Sequence, residues 1–341
     1  MLNEEHMNPI KTGRIIAEHR QMYVISAEGD TFLGEVSGKF LFIANRPADF
    51  PKVGDYVEYI RPEADGRAVI QALKKRKTVL SRKVSGDRTA EQVLAVNVEA
   101  VFIVTALDHD FSVRRVERYL TLTWESGARP VIVLNKSDLC EDVEAHLLEV
   151  EAVAFGVPVC VTSAVTDTGM DCLRAQIRKE ETICFLGSSG VGKSSLINRL
   201  LEEDRQEIRE IRTADSKGRH TTTHRELFTL PSGAFLIDTP GLREVQLWSA
   251  EEGLAAGFTE IETLASDCRF VDCTHSVENG CAVLHALETG QLAQDRYESY
   301  QKLRREQHWL HEKQETAGRI NRKRRFKEIT RAVREMKRNR W

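Results

Sequence analysis

The sequence predicts a multidomain α/β protein in three parts: a small β-barrel of the OB type, a mostly parallel sheet flanked by helices, and a helical module around a cysteine cluster. Three observations predict it. Residues 11–73 alternate apolar and polar side chains in short runs separated by Gly, Pro and Asp, the pattern of half-buried strands. From residue 100, near-continuous β-branched runs recur between stretches of helical length, as in a parallel sheet buried on both faces. Beyond Trp248 the strands stop, and Cys268, Cys273, His275 and Cys281 fall within fourteen residues.

At 341 residues the chain exceeds one ordinary core, so several domains are expected. The pattern changes place them at 1–75 (barrel), 76–246 (parallel sheet), 247–318 (helical module) and 319–341 (basic tail). In the barrel, strands are read at Tyr23-Val24-Ile25, Phe40-Leu41-Phe42-Ile43 and Asp55-Tyr56-Val57-Glu58-Tyr59. About five strands in so short a span fit an OB barrel, whose open face commonly accepts nucleic acid. An SH3-like or plain scaffold barrel fits the same alternation. The sheet strands are read at 101–104, 131–134, 157–161, 183–186 and 235–237. Such sheets bind ligands beyond the carboxyl ends of their strands.

Composition bounds the function. A hydrophobic content of 41% with 30% charged residues is ordinary for a globular protein, and no apolar run approaches the ~20 residues of a membrane span. The N-terminal stretch lacks the features of a secretion signal, so a cytoplasmic location is expected. Seven cysteines argue against a disulfide framework; Cys140, Cys160, Cys172 and Cys184 are read as core residues. Charge is unevenly spread. Residues 319–340 hold eleven Lys and Arg against two acidic residues, a tail of +9, whereas the remaining 38 basic and 50 acidic residues leave −12. A basic tail on an acidic body suits contact with a polyanion such as RNA. No heptad seam or dimer face is visible, and a monomer is expected.

The strand tips carry the chemistry. Gly187-Ser188-Ser189-Gly190-Val191-Gly192-Lys193-Ser194, with Ser195 following, matches G-x-x-x-x-G-K-[ST] between a strand and a helix. Its glycines let backbone N–H groups wrap phosphates, Lys193 reaches the β and γ oxygens, and Ser194 offers its hydroxyl to Mg²⁺. Asp238-Thr239-Pro240-Gly241 reads as D-x-x-G, in which Asp238 holds Mg²⁺ and the Gly241 amide meets a γ-phosphate. Asn135-Lys136-Ser137-Asp138 reads as N-K-x-D. The Asp138 carboxylate accepts two hydrogen bonds from guanine, and adenine would present it with an acceptor instead. Thr162-Ser163-Ala164 fits the [ST]-A-x loop that contacts the base oxygen. GTP and GDP are therefore the expected ligands. In sequence N-K-x-D and S-A-x precede the phosphate loop, a circular permutation of the usual order. Fixed strand tips and neighbouring termini tolerate such a change.

With these motifs the sequence resembles the circularly permuted GTPases, and closely the ribosome small-subunit-dependent GTPase A (RsgA) family. The carriers are Asn135-Lys136-Ser137-Asp138, the phosphate loop through Ser195, Gly218-Arg219-His220-Thr221-Thr222-Thr223, Asp238-Thr239-Pro240-Gly241 and the cysteine cluster. The resemblance implies an OB barrel, a permuted G domain and a zinc module in this order. It also implies GTP hydrolysis, stimulated by the small ribosomal subunit and its rRNA, late in that subunit's maturation.

Residues 212–225 are polar and Thr-rich, as a switch segment would be, and Thr222 is read as the Mg²⁺-binding threonine. Leu242 follows Gly241, where Ras-type enzymes place a water-orienting glutamine, so another group must position the water. His220 is read as that group, with a solvated loop histidine or an RNA contact as the alternative. Lys193, His220 and Thr222 thus form the expected catalytic set. Cys268, Cys273, His275 and Cys281 suit a closed, four-ligand structural Zn²⁺ site. A helix is expected over residues 292–315. The rival to the GTPase reading is a nucleotide-sensing RNA-binding scaffold in which hydrolysis is incidental, and Leu242 keeps it open.

Overall fold

The computed structural model describes residues 9–19, 22–62, 66–83, 91–202, 225–238, 251–309 and 311–312. Strands β1 (Lys11–His19), β2 (Met22–Ala27), β3 (Asp30–Val36), β4 (Tyr56–Ile60) and β5 (Ala68–Leu73) close a barrel in the order β1-β2-β3-β5-β4. This is the expected OB-type barrel. Its core is Ile15, Tyr23, Ile25, Val57, Tyr59, Ala68 and Ile70, the inward members of each alternation.

One barrel element departs from the expectation. Residues read as the strand Phe40-Leu41-Phe42-Ile43 form helix α1 (Gly38–Ile43), whose N-terminus is capped by the Ser37 side chain accepting from the Phe40 N–H. Four consecutive apolar residues carry neither a period of 2 nor one of 3.6, so the cap and the barrel decide. Only Phe40 turns inward; Leu41, Phe42 and Ile43 are exposed.

After a two-stranded ribbon of β6 (Val79–Lys83) and β7 (Glu91–Val96), the main sheet begins with β8 (Ala100–Ala106). Helix α2 (Val113–Glu125), β9 (Arg129–Asn135), α3 (Val143–Val153), β10 (Val159–Val161), α4 (Met170–Ala175), β11 (Thr182–Leu186), α5 (Lys193–Leu201), β12 (Leu227–Thr229) and β13 (Phe235–Ile237) follow. The sheet order is β10-β9-β8-β11-β13-β12, parallel except for the edge strand β12. Every residue of β8 and β11 is buried, which is why these segments read as continuous apolar runs. One face packs under α4 and α5 through Phe102, Phe185, Leu173 and Leu196, and the other under α2.

The helical module holds α6 (Glu251–Gly257), α7 (Thr259–Ala265), α8 (Ala282–Glu288) and α9 (residues 294–309). It shares a core with the sheet: Leu254, Phe258, Ile261 and Leu303 belong to the same buried cluster as Leu120 and Leu122 of α2. Helix α2 is therefore buried almost all round, Glu117 included. That carboxylate accepts from Arg296 (2.5 Å) and from the Ser299 hydroxyl, so its burial is matched by partners.

The barrel is latched to the sheet as well. The Arg14 guanidinium, between the Tyr56 and Phe235 rings, donates to Thr182 Oγ1 at 2.6 Å, while Arg76, where the chain leaves the barrel, gives buried Asp55 two hydrogen bonds (2.8 and 2.7 Å). Ala17 of β1 forms an antiparallel bridge with Glu226, directly before β12. Among the described residues no helix is long and apolar enough to cross a membrane.

Candidate functional site

The carboxyl ends of β8, β9, β10, β11 and β13 face one edge of the sheet, and the sequence-predicted motifs leave the strands there. Asn135 ends β9, residues 162–164 follow β10, residues 187–192 join β11 to α5, and Asp238 follows β13.

Asn135 ties three of these segments together. Its Nδ2 donates to the Val191 carbonyl at 2.8 Å, while its Oδ1 accepts from Thr162 Oγ1 (3.2 Å) and the Ala164 N–H (3.3 Å). It is 2% exposed, so these bonds lie in the interior, where polar groups require partners. Gly192 lies against this amide with φ 94°. A Cβ there would sit 2.2 Å from Asn135 Nδ2, so both the conformation and the contact require glycine.

The loop of residues 187–192 closes on itself around Lys193. The ammonium donates to the Gly187 and Ser188 carbonyls at 2.7 and 2.5 Å, and burial pushes it down to about 8 against the opposing charge of Asp238. A nucleotide's phosphates would supply the negative charge this lysine lacks. Gly187 and Val191 are buried; Ser189 and Gly190 are exposed at the loop's tip, and Ser194 and Ser195 open α5 half-buried. Helix α5 directs its N-terminus, with its free N–H groups, into the same space.

At the end of β9, Lys136 adopts φ 63° and its ammonium pairs with Asp108 at 2.8 Å. The Ser137 N–H donates to the Thr162 carbonyl, and the exposed Asp138 carboxylate accepts from Ser163 Oγ at 2.5 Å. Asp138 thus keeps one oxygen free of that hydroxyl. Arg199 of α5 donates to the Ala164 carbonyl at 3.0 Å.

The second cluster lies in the helical module. The donor atoms of Cys268, Cys273, His275 and Cys281 all lie within 4.8 Å of one another. Cys268 Sγ is 3.5 Å from His275 Nδ1 and 3.8 Å from Cys281 Sγ, and His275 Nδ1 is 3.4 Å from Cys281 Sγ. Three sulfurs and a ring nitrogen at such spacing can hold one metal ion; ligands about 2.3 Å from a tetrahedral zinc stand a little under 4 Å apart. Burial lowers the His275 pKa, which favours the neutral ligand form. Tyr297 donates to the His275 carbonyl and Arg304 to the Cys273 carbonyl, so α9 backs the ligand loop.

Some expectations are corrected or fall elsewhere. Cys160 is a buried core residue as read, but Cys172 is exposed and the two are joined as a disulfide. Cys184 is buried and Cys140 half-buried. His220, Thr222, their neighbours in residues 203–224, Gly241, Leu242 and the basic tail lie outside the described residues. Sequence reasoning passed over Asp108, Arg199 and Tyr119, whose hydroxyl lies 3.5 Å from Ser188 Oγ. Asp108 alone had a signal: it stands just past the end of β8, the strand-tip position already known to matter.

Comparison with known proteins gives a consistent picture. A family model described as RsgA GTPase matches residues 73–248. A protein of Lactiplantibacillus plantarum named small ribosomal subunit biogenesis GTPase RsgA 2 is 48% identical over 294 residues, covering 86% of this chain and 82% of that one. A protein of Opitutus terrae named small ribosomal subunit biogenesis GTPase RsgA is 46% identical over 303 residues, covering 86% and 83%. Among solved structures, YjeQ from Thermotoga maritima superposes with a TM-score of 0.65 at 28% identity, covering 88% of this chain and 99% of its own. YloQ, described as a circularly permuted GTPase, gives 0.61 at 27% identity, covering 90% and 98%.

Proposed function

The chain belongs to the RsgA GTPase family, and from that membership we propose that it hydrolyses GTP to GDP and phosphate in the biogenesis of the small ribosomal subunit. The observation that carries this reading is the Asn135 side chain, which binds the base-side loop and the phosphate loop into one site.

Asp138, beside Asn135-Lys136-Ser137, selects guanine, and the Thr162-Ser163-Ala164 loop, held to Asn135, lies beside the base oxygen. Lys193 and the N–H groups of residues 187–195 gather the phosphate oxygens and stabilise the charge that grows on them as the bond to the β-phosphate breaks. Ser194, Thr222 and Asp238 would hold the Mg²⁺ that a GTPase employs, which neutralises phosphate charge when bound. Gly241 meets the γ-phosphate through its amide. His220, as a neutral imidazole, orients the attacking water in place of the glutamine that Leu242 replaces. Cys268, Cys273, His275 and Cys281 hold one structural zinc ion, whose closed ligand set leaves no open position for chemistry.

The proposed division is 1–75 barrel, 76–246 permuted G domain, 247–318 zinc module and 319–341 basic tail. Barrel and tail contact rRNA, the tail by charge alone, so it contributes affinity without sequence specificity. The protein acts as a monomer in the cytoplasm, where subunits assemble.

Multiple-turnover phosphate release with and without small subunits tests the proposal. Stimulation by the subunit is expected, and its absence would favour the scaffold reading. His220→Ala should keep GTP affinity and subunit binding but lose most of the stimulated rate, about a hundredfold. Full stimulated turnover in that variant would move the water-positioning role elsewhere.

A further inference from the structure

The loop that carries the base-side contacts is also closed by a thiol pair. Cys160, at the centre of β10, is fully buried, and Cys172 lies exposed in α4, twelve residues on, with Cα atoms 5.9 Å apart. Everything between them is the loop of Thr162, Ser163 and Ala164 and its return to the helix. The loop's first end is fixed by pairing of β10 with β9 at Val159, Cys160 and Val161. Its second end depends on α4, a helix of six residues, too short to be stable by itself. Met170 and Leu173 bury one side of α4, and the loop closes internally through the Ser163 N–H to the Thr168 carbonyl and the Thr166 N–H to Ser163 Oγ. Gly169, at φ 69°, crosses β10 so closely that a Cβ would stand 1.9 Å from the Val161 carbonyl oxygen. The close crossing brings the two cysteines together.

We propose that Cys160 and Cys172 form a reversible redox site that braces the guanine-recognition loop. A peroxide is the oxidant class. Cys172, the accessible sulfur, attacks a peroxide oxygen; the O–O bond breaks, one water leaves, and Cys172 becomes a sulfenic acid. The Cys160 sulfur then attacks the Cys172 sulfur, the S–S bond forms, the S–O bond breaks, and a second water leaves. Two thiols and one hydrogen peroxide thus become one disulfide and two waters. A small dithiol reverses the reaction by exchange, taking the disulfide onto itself. With the bond in place, α4 is tied to the sheet and the loop is held with Ser163 on Asp138, so guanine meets a site that needs less ordering. Reduction frees that end, and the nucleotide must order it on binding. The inference rests on the guanine role proposed for this loop.

The test uses the full-length protein with a fluorescent methylanthraniloyl GTP analogue. Wild type and Cys172→Ser are each titrated after dithiothreitol and after hydrogen peroxide followed by its removal, and the cysteines are mapped by mass spectrometry. Oxidised wild type should contain the linked Cys160 and Cys172 peptides and bind about fivefold more tightly than reduced, equivalent to about 1 kcal/mol. Cys172→Ser should match the reduced protein in both treatments. Because that variant keeps the four cluster residues, any peroxide effect acting through the metal site appears in it equally and is separated. No linked peptide, or a linked protein with unchanged affinity, would overturn the proposal. Competition of GTP against ATP on the reduced protein, in wild type and Asp138→Asn, reports the guanine role independently. Lost discrimination in the variant with no redox effect would refute the brace alone, and retained discrimination would refute the guanine role.

Discussion

The two sites of this protein are built in opposite ways. The metal cluster takes all four donors from fourteen consecutive residues, in a loop with little regular structure of its own between α7 and α8. The proposed nucleotide site draws on the tips of five strands, and its parts are joined by side chains such as Asn135, Ser163 and Arg199. In the first case the ligand set has to hold the chain; in the second the sheet holds the ligand set. A residue lost from the nucleotide site should therefore cost function with little stability, and a residue lost from the metal cluster the reverse.

The largest effect is expected at Lys193. Lys193→Ala should lower subunit-stimulated turnover by roughly a thousandfold or more, about 4 kcal/mol of barrier, if its ammonium meets charge that develops in the transition state as proposed. The melting temperature should stay near that of wild type, since β11 is paired on both sides by β8 and β13. A large drop in melting temperature would break the comparison.

Cys273→Ser, or removal of zinc by a chelator, tests the other half. We expect about one zinc per chain to be lost, with a destabilisation of about 3 kcal/mol or more seen by denaturant unfolding. The damage should not stop at the ligand loop. Cys273 and Cys281 belong to the same buried cluster as Leu254, Phe258 and α2, so hydrogen exchange should quicken on the outer face of α2 as well. Stable wild-type protein without metal would refute the zinc assignment.

A smaller effect is expected at Asp138. Asp138→Asn should weaken GTP binding by roughly thirtyfold, about 2 kcal/mol, and favour xanthosine triphosphate, whose C2 carbonyl suits the new amide. Competition binding reads this directly, and an unchanged preference would show that the base is held elsewhere. Smallest of all, Arg199→Met removes a half-exposed hydrogen bond to the Ala164 carbonyl together with a long ion pair to Asp167 at 4.0 Å. Its expected cost is about 0.5–1 kcal/mol in GTP affinity, with no change in zinc content.

The sequence by itself laid out the contiguous segments on which the proposed sites rest, namely residues 187–195, Asn135 to Asp138, and Cys268 to Cys281, because the groups involved are neighbours along the chain; the structure gathers the four cluster residues within 4.8 Å. The sequence also determined the parallel sheet, since strands buried on both faces such as β8 and β11 leave unbroken apolar runs. Tertiary structure alone decided the rest. Residues 40–43 became a helix because an all-apolar run has no period, and a Ser37 cap together with a closed barrel chose among its folds. Cys160 reached Cys172, Lys136 reached Asp108, and Glu117 reached Arg296 by contacts that depend on strand order and helix packing. No spacing rule records such pairs, because the energy that joins them exists only after distant segments have been brought to one edge of the sheet or one side of α2.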